Sequence, residues 1–439
     1  PKGVMIEHKS VVNLIEFFIP YLGITSKDRI LQTSSYTFDS SVAEIFMPFF
    51  CGATLILVKR MVLLSPTSIQ KYLNSKQVTY MDGTPALLAS FNKTLFKDLR
   101  SMCIGGEVAN MSDVRFYAKH YNYFNDYGPT ECTVTTTIIL VSDKQQFLES
   151  AAIPIGKPIA NTQVYILDVQ NQPVPIGLTG QLYISGVGLA RGYLNNPELT
   201  EEKFIPHPFI EGERLYKSGD LARWLPDGNI EFLGRIDHQL KIRGFRIEAG
   251  EIETVLQEIP QVEKAVVVAR ANILGDKQLV AYLVLNQYET PNYLALRSFL
   301  KQKLPGYMIP AAFVPLDAIP LTTSGKVNRK ALPAPDRDRQ FSVASFVSPT
   351  TPIHIQLATI WKEVLFLDSQ VGLHDDFFDL GGHSLLAIQL VSRIEKAFQS
   401  KIPLHQLFKI GSLADIANLF TSIIFPLSIF SVMICEVTP

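Results

Sequence analysis

Three short segments of the chain place reactive side chains beside tight turns. Residues 125–131 read Asn-Asp-Tyr-Gly-Pro-Thr-Glu, so one loop carries an aromatic ring, a hydroxyl and a carboxylate. An aromatic ring stacks on a nucleobase, a hydroxyl donates to phosphate, and a carboxylate holds Mg²⁺ together with phosphate oxygens. Residues 216–220 (Tyr-Lys-Ser-Gly-Asp) add a carboxylate able to accept both hydroxyls of a ribose, and residues 234–237 (Gly-Arg-Ile-Asp) follow one hairpin later. Each segment alone is more typical of a plain turn, since Gly, Asp and Asn favour turns for local reasons.

Other signatures of catalysis or cofactor binding are excluded. Gly325-Lys326 is followed by Val327 rather than Ser or Thr, so it is not a P-loop. Residues 186–188 do not fit the GxGxxG dinucleotide motif, and residues 382–384 lack the second Gly of a nucleophile elbow. The cysteines form no CxxC pair and the histidines no HxxxH pair. This argues against a zinc site or a disulfide framework and favours a reducing cytoplasm.

Composition narrows the class of protein. The chain has 439 residues, of which 47% are hydrophobic and 18% charged. Such a chain builds well-packed cores in about two to four domains, which excludes a disordered, collagen-like or coiled-coil protein. Forty basic and 41 acidic side chains leave a formal charge of −1, so no global field draws the chain to nucleic acid or to an anionic membrane. Any anion site must therefore be local.

The elements that must position these residues follow a multi-domain α/β pattern. Between residues 30 and 140, β-rich runs alternate with helix-like stretches, which predicts a large layered α/β subdomain. The strand-like runs are 53–58, 77–81 and 133–141, and the helix-like ones are 41–50 and 68–74. From 156 to 234, short strands at 164–167, 181–185 and 229–233 are separated by Pro/Gly turns. That texture predicts an antiparallel or β-barrel-like part.

The second half of the chain changes texture twice. A helix pattern after 248, strands at 265–269 and 278–285, and a helix at 293–303 predict a small α+β subdomain. The apolar periodicity of 355–364 and 385–398 predicts an all-α helical bundle. The predicted domains are 1–236, 237–332, a polar linker at 333–350, the helical module at 351–425, and an irregular apolar tail at 426–439.

The last segment has three interpretations. Residues 416–435 carry no charge, and a bilayer crossing needs roughly 20 apolar residues. Pro426 and several polar residues argue against a membrane span. A buried terminal helix and a truncated or frame-altered end are the alternatives, and we expect no membrane association.

Read together and in order, these segments resemble the adenylate-forming enzymes, and within them the amino-acid-activating adenylation domains of nonribosomal peptide synthetases. The matching motifs are residues 1–4, 38–39, 125–131, 180–182, 216–220, 234–237, 241–244, 304–310 and 324–326. The resemblance covers residues 1 to about 332, a span taken from these ordered motifs. Residues 379–385 (Asp-Leu-Gly-Gly-His-Ser-Leu) resemble the attachment site of a peptidyl carrier domain.

The resemblance implies a nucleotide site for ATP. Its residues would be Tyr127, stacked on adenine; Gly105, Gly106 and Glu107, lining the other side of that ring; Asn125 of the same loop; and Asp220 with Arg235, which would hold the ribose. Thr130 would contact the α-phosphate and Glu131 would bind Mg²⁺. Lys326 would bridge the substrate carboxylate and the phosphate oxygens. Catalysis would then be electrostatic, since a carboxylate needs no general base to attack the α-phosphorus.

The resemblance also implies a moving subdomain and a covalent carrier. The family's hinge position matches Asp237, and rotation there would replace Lys326 with the face that contains Lys241. Ser384 would carry 4′-phosphopantetheine at the start of a helix, where a capping role is the plain alternative. The implied partners are a phosphopantetheinyl transferase and neighbouring condensation or thioesterase modules.

The same match defines an amino-acid pocket. Asp39 takes the family position that pairs with the substrate α-ammonium. The remaining wall is Ser40, Ala43, Asp82, Cys103, Gly105, Asp126, Val134 and Thr135, with Asp82 and Cys103 dependent on gap placement. Two further carboxylates in an apolar pocket require a cationic partner, so we expect arginine first and then lysine or ornithine. If Asp126 instead caps its own loop, the substrate is polar or aromatic.

Two other classes of protein stay open. One is an acyl- or aryl-CoA ligase of the same superfamily, and the other is a carrier scaffold without adenylation activity. The family's Gly- and Ser/Thr-rich phosphate loop would precede Pro1, and the chain does not start with Met. We therefore expect a fragment that is weakly active or inactive by itself.

Overall fold

The computed structural model describes residues 2–419 with gaps, and the described backbone divides after Gly244 into two compact units, Pro1–Gly244 and Phe245–Pro439. The gaps are 64, 142–151, 237–239, 243–244, 272–276, 287–292, 322–326, 336–345, 366, 368–369, 379, 381, 383, 400–406 and 408–410. The predicted domain boundaries stay predictions.

A seven-stranded sheet forms the centre of the first unit. Its strands are β1 (Arg29–Gln32), β2 (Thr54–Leu57), β3 (Tyr80–Gly83), β4 (Ser101–Gly105), β5 (Asn122–Tyr127), β6 (Thr137–Val141) and β7 (Lys157–Pro158). They lie in the order β2-β1-β3-β4-β5-β6-β7. The first five are parallel, whereas β6 and β7 run antiparallel to their neighbours.

Helices cover both faces of this sheet. They are α1 (His8–Leu22), α2 (Ser40–Cys51), α3 (Arg60–Leu63), α4 (Pro66–Lys76), α5 (Pro85–Ser90) and α6 (Met111–Tyr117). Tyr80 and Cys103 pack into the core with α1 and α2, whereas Met81 and Met102 pack into the other core with α4, α5 and α6. This division follows from the strand geometry, because successive side chains point to opposite faces. The predicted layered α/β subdomain is confirmed.

A second sheet in the first unit is antiparallel throughout. It contains β8 (Thr162–Leu167), β9 (Gly180–Gly186), β10 (Phe204–Pro206), β11 (Arg214–Trp224) and β12 (Ile230–Arg235), with α7 (Pro197–Lys203) before β10 and the short β13 (Leu240–Ile242) after β12. The order is β10-β11-β9-β8, with β12 also paired to β11. The antiparallel alternative from the sequence is thus the one observed.

The second unit combines a small sheet with a helical module. Its elements are β14 (Phe245–Ile247), α8 (Ala249–Gln257), β15 (Val262–Ala271), β16 (Lys277–Leu285), α9 (Tyr293–Lys303), β17 (Ala312–Leu316), α10 (Pro352–Leu365) and α11 (Ser384–Phe398), followed by helical residues 413–419. Strand β16 pairs antiparallel with β15 and parallel with β17. Leu357, Trp361, Phe377, Leu390 and Ile394 form the core of the helical module. Both predicted subdomain types are confirmed.

Two strand boundaries from the sequence are wrong. The strand predicted from residue 133 begins at Thr137, because Thr133 and Val134 both have positive φ, which interrupts an extended strand. The strand predicted from residue 77 begins at Tyr80, because Gln77 adopts a left-handed conformation that ends α4.

Within the described residues, no helix has the length and apolar character that a bilayer crossing requires. Most of the uncharged segment at 416–435 lies outside those residues.

Candidate functional site

The carboxyl ends of β3, β4 and β5 meet at one edge of the large sheet. Asp82 lies opposite Cys103 across β3 and β4, and Gly105 lies opposite Asp126 across β4 and β5. Successive side chains of a strand point to opposite faces, so residues two apart share a face. Asp82, Cys103, Gly105 and Asp126 therefore lie on the same sheet face as Tyr80 and Phe124, which pack into the core with α2. Crevices at the carboxyl ends of parallel strands are the usual ligand sites of such sheets.

The loop after β5 is held in a tight turn by Gly128. A Cβ atom at this position would lie 2.1 Å from the Val134 carbonyl oxygen, so only glycine allows this approach. The Thr136 backbone N–H donates to the Tyr127 carbonyl at 2.8 Å and closes the loop. Residues Thr130–Cys132 form a 3₁₀ turn inside it, which fixes Thr130 and Glu131 relative to the sheet edge.

Thr130 and Asp39 come together from different elements. The Thr130 hydroxyl donates to Oδ2 of Asp39 at 2.5 Å, although 91 residues separate them. Asp39 caps α2, and its Oδ1 accepts the Ser40 backbone N–H at 2.9 Å. The two residues predicted to contact the α-phosphate and the α-ammonium are therefore direct neighbours.

Glu131 is buried against a residue that sequence analysis missed. Its side chain is 0% exposed, and Oε1 accepts a hydrogen bond from the Tyr193 hydroxyl at 2.5 Å. The Ala190 backbone N–H also donates to the Glu131 carbonyl at 2.9 Å. Tyr193 follows β9 on the second sheet, so no local pattern in the sequence signals this pairing.

The donor set around Glu131 suits Mg²⁺ rather than a metal caged by the protein. No cluster of three or more His, Cys, Asp or Glu residues that would hold a metal ion occurs in the part of the chain that the structure describes. Mg²⁺ is commonly bound by one or two carboxylates together with substrate phosphates and water. Glu131, a buried glutamate on the loop after β5, fits that pattern.

Tyr127, Asp220 and Arg235, which the sequence predicts to bind the nucleotide, form a polar trio in which Tyr127 and Asp220 are buried. The Tyr127 hydroxyl donates to Oδ2 of Asp220, and Nη1 of Arg235 donates to Oδ1 at 2.7 Å. Arg235 lies directly across from Asp220 in the pairing of β11 with β12, and its Nη2 donates to the Ser218 carbonyl at 3.0 Å. Burial, with the nearby Asp220 carboxylate, raises the pKa of the Tyr127 hydroxyl well above its ordinary value.

The trio is compatible with a ribose contact at Asp220. A carboxylate has about four lone-pair sites, and these two donors do not by themselves exhaust its capacity. The structure thus brings together three residues that sequence analysis gave to the nucleotide.

The other predicted nucleotide residues lie at the same edge. Strand β4 ends at Gly105, and Gly106 follows in a left-handed conformation with φ 84°. Glu107 comes next and is half-buried. Asn125 has a structural partner, since its Nδ2 donates to the Pro154 carbonyl at 2.9 Å. Its nucleotide-binding role stays a prediction.

The predicted amino-acid pocket has an acidic floor. Oδ1 of Asp82 accepts the Tyr80 hydroxyl at 2.7 Å, whereas Oδ2 is buried without a hydrogen-bond partner among the described residues. Asp126 accepts the Thr135 hydroxyl at 2.7 Å. Burial raises the pKa of Asp82 well above its ordinary value, and the negative charges of Glu44 and Asp126 raise it further.

The remaining wall residues surround this floor. Ala43, Cys103 and Val134 belong to the core that contains Tyr80. The Ser40 hydroxyl donates to the Ser34 hydroxyl at 2.9 Å. Burial, followed by the charges of Asp126 and Asp82, raises the pKa of the Cys103 thiol, so this thiol is neutral.

Glu44 on α2 is a second residue that sequence analysis missed. It is fully buried behind Asp82, and its Oε1 accepts the Thr33 hydroxyl at 2.7 Å and the Thr33 backbone N–H at 3.1 Å. The Ser34 backbone N–H donates to Oε2 at 3.1 Å. Burial raises the pKa of Glu44 to about 7, against the opposing effect of these hydrogen bonds. A lone acidic residue in the otherwise apolar helix sequence was the available signal.

Four predicted residues are not placed in full. Lys326 and Asp237 lie outside the described residues, and Lys241 is described in its backbone only, within β13. Helix α11 begins at Ser384, as predicted, but the Ser384 side chain is outside the description. Their roles remain predictions.

Models of three protein families match consecutive parts of the chain. Residues 1–194 match the AMP-binding enzymes, and residues 251–326 match the AMP-binding enzyme C-terminal domain. Residues 356–420 match the phosphopantetheine attachment site.

Known peptide synthetases match nearly the whole chain. It is 48% identical over 419 residues to a linear gramicidin synthase of Brevibacillus parabrevis, in a match that covers 95% of this chain and 8% of that protein. Tyrocidine synthase 1 of the same organism is 42% identical over 95% of this chain and 38% of its own length. The chain thus spans only a small part of these relatives.

Solved structures of nonribosomal peptide synthetases are also similar to this chain. A holo nonribosomal peptide synthetase protein containing adenylation and PCP domains, bound to a vinylsulfonamide inhibitor, has a TM-score of 0.77 at 28% identity, over 96% of this chain and 70% of that one. A four-domain nonribosomal peptide synthetase bound to AMP and glycine has a TM-score of 0.51 at 35% identity, over 96% of this chain and 31% of that one. The adenylation models over residues 1–194 and 251–326, followed by the phosphopantetheine attachment model over 356–420, identify the chain as an adenylation and carrier segment of the nonribosomal peptide synthetase family.

Proposed function

We propose that this chain activates an amino acid as its aminoacyl adenylate, using ATP and Mg²⁺, and loads it onto its own carrier domain. The substrate carboxylate oxygen attacks the α-phosphorus, the bond to the bridging oxygen breaks, and pyrophosphate leaves. Ser384 would carry the phosphopantetheine arm, whose thiol would accept the aminoacyl group as a thioester while AMP leaves. The observation that carries the proposal is the direct contact between Thr130 and Asp39, which unites a phosphate-facing hydroxyl with an ammonium-facing carboxylate.

The residues act by positioning and electrostatics. Asp39 pairs with the α-ammonium and so selects amino acids over plain carboxylic acids. Thr130 donates to an α-phosphate oxygen, and Glu131 would hold the Mg²⁺ that balances the phosphate charge. Lys326 neutralises the charge that develops on the equatorial oxygens in the transition state. Tyr127, Asp220 and Arg235 hold the nucleoside, and Asp237 is the hinge that carries Lys326 away before thioester formation.

The proposed substrate has a cationic side chain, with arginine first and lysine or ornithine next. Oδ2 of Asp82 is buried without a partner among the described residues, and a second carboxylate, Asp126, lies nearby. An unpaired buried acceptor costs free energy that a guanidinium or ammonium group recovers by donating to it. Asp126 also accepts a hydrogen bond from the Thr135 hydroxyl, which is the contact expected if Asp126 stabilises its own loop. The proposal of a cationic substrate therefore rests mainly on Asp82.

The proposed partners and compartment follow from the carrier. A phosphopantetheinyl transferase modifies Ser384, and condensation or thioesterase modules take the thioester. The start of α11 suits the modification, because the positive end of a helix favours the phosphodiester. Cys51, Cys103 and Cys132 form no disulfide among the described residues, which is consistent with a reducing cytoplasm.

Amino-acid-dependent ATP–pyrophosphate exchange tests the proposal. The assay uses the chain together with the sequence that flanks it in the complete protein, and it compares all standard amino acids plus ornithine. We expect a maximum with arginine or lysine that collapses in Lys326→Ala and persists in Lys330→Ala, a matched exposed lysine. A maximum with an uncharged amino acid contradicts the pocket argument alone. Exchange with fatty acids but not amino acids, or no exchange at all, contradicts the proposed function.

A further inference from the structure

The contact between Thr130 and Asp39 joins two binding sites through one proton. A threonine hydroxyl has a single O–H donor, and here that donor is directed at Oδ2 of Asp39 at 2.5 Å. The same hydroxyl is the group proposed to donate to the α-phosphate. It cannot serve both acceptors at full strength, so the carboxylate and the phosphate compete for it.

Asp39 is well placed to exchange this donor for another. Its Oδ1 is held by the Ser40 backbone N–H at the start of α2, so the carboxylate keeps its orientation while Oδ2 changes partner. An α-ammonium brings three N–H donors and a full positive charge. A charged donor forms a stronger hydrogen bond to a carboxylate than a hydroxyl does, so the ammonium displaces Thr130.

We propose that Thr130 couples amino-acid binding to nucleotide binding by switching its hydroxyl from Asp39 to the α-phosphate when the α-ammonium arrives. This inference rests on the proposed function. It adds that the amino acid and the nucleotide bind cooperatively before the reaction takes place. Before the amino acid binds, the nucleotide must compete with Asp39 for the hydroxyl. Afterwards the donor is available to the phosphate.

The coupling must be reciprocal, since it is an equilibrium effect. The amino acid raises the affinity for the nucleotide by the same factor as the nucleotide raises the affinity for the amino acid. Couplings of this type typically change affinity about 5- to 150-fold, and one hydrogen bond places this case at the lower end. We expect a factor of about 5 to 10 at saturating amino acid.

Calorimetric titration with AMP measures the coupling without turnover. AMP carries the α-phosphate and no leaving group, so its dissociation constant is compared with and without the amino acid that gives the strongest exchange. A second comparison uses the deaminated analogue of that amino acid, which for arginine is 5-guanidinopentanoic acid. It keeps the carboxylate and side chain and lacks only the ammonium. The variants are Thr130→Val, which removes the hydroxyl, and Thr130→Ser, which keeps it.

The comparison isolates the contributions of the α-ammonium and of the Thr130 hydroxyl to the coupling. In the unmodified protein the amino acid lowers the dissociation constant of AMP by a factor of about 5 to 10, whereas the deaminated analogue changes this constant less than twofold. Thr130→Ser retains the factor, and Thr130→Val brings it close to one. Equal coupling by the two ligands, or full coupling in Thr130→Val, overturns the inference. If Thr130→Val fails to fold, the two-ligand comparison decides alone. Exchange without coupling overturns only this inference, whereas no exchange overturns the proposed function as well.

Discussion

The two halves of the candidate site satisfy their charges in different ways. On the nucleotide side, Asp220 is paired with Arg235 across two strands and accepts the Tyr127 hydroxyl. On the predicted amino-acid side, Asp82 has one buried oxygen without a hydrogen-bond partner among the described residues, and the charge of the buried Glu44 raises its pKa. The first, closed half pairs its buried charge within the fold and keeps acceptor capacity for a ribose, whereas the second, open half leaves one buried oxygen of Asp82 for a ligand. A site for an invariant nucleotide tolerates a carboxylate that is already paired, and a site that selects among side chains leaves part of its recognition to the substrate.

The largest effect is expected from breaking the closed half. The side chains of Arg235 and Asp220 are only 13% and 4% exposed, so Arg235→Ala leaves a buried charge without its partner. We expect a loss of about 3 kcal/mol or more of unfolding free energy and weaker ATP binding. Arg223→Ala is the matched control, because Arg223 pairs with Glu231 on the same two strands at 41% and 27% exposure and should cost less than about 1 kcal/mol. Equal losses in urea unfolding would show that the trio has no special weight.

The raised pKa of Glu44 predicts how the free energy of unfolding depends on pH in the open half of the site. Its pKa is raised to about 7, so the folded state keeps a proton that the unfolded state loses near its ordinary value of 4.5. Unfolding free energy therefore falls as pH rises through this window, by about 1.4 kcal/mol per pH unit for this group.

Glu44→Gln removes that dependence. We expect the pH dependence of hydrogen-exchange protection in α2 between pH 5 and pH 7 to become shallower by the contribution of Glu44, while Asp82, whose pKa is also raised, keeps its own contribution. The exposed Glu16→Gln on α1 should keep the original slope. A variant with the parent slope would mean that Glu44 is ionised throughout the range.

Asp82→Asn asks whether the unpartnered oxygen selects the substrate. We expect exchange with the cationic amino acid to fall about 10- to 100-fold in kcat/KM, the range for one charged hydrogen bond. Asp126→Asn should cost less, because Asp126 already accepts from Thr135. The reverse order would assign recognition to Asp126 instead.

The smallest effect is a proton count. Burial and Glu44 raise the pKa of Asp82, and a bound cation lowers it again, so binding of the cationic substrate should be accompanied by proton release, of up to one proton per site. Calorimetry in two buffers of different ionisation enthalpy measures this number. Asp82→Asn should abolish the release, and a neutral amino acid should produce none. Proton uptake would contradict the sign of the argument.

Local pattern was enough for most elements and for part of the site. Helix α9 spans Tyr293–Lys303 as its periodicity predicts, and the alternation of runs before residue 140 predicts the layered sheet. The strand start at residue 133 was wrong, because positive φ values at two non-glycine residues have no sequence signal. Glu44 and Tyr193 were missed for a different reason. Each reaches the candidate site only through a partner on another element, and a spacing pattern does not report such distant contacts.

The absence of a side chain at Gly105 constrains how this site can evolve. A Cβ atom there would lie 2.0 Å from Oδ1 of Asp126 and 2.7 Å from the Asp126 backbone carbonyl oxygen, so a larger residue at 105 clashes even if the side chain at 126 shortens. The backbone of β5 thus restricts position 105 to glycine, and a lineage that changes specificity must do so elsewhere in the pocket. Asp82 carries no such steric constraint from Gly105, so single substitutions there offer the more accessible route to a new substrate.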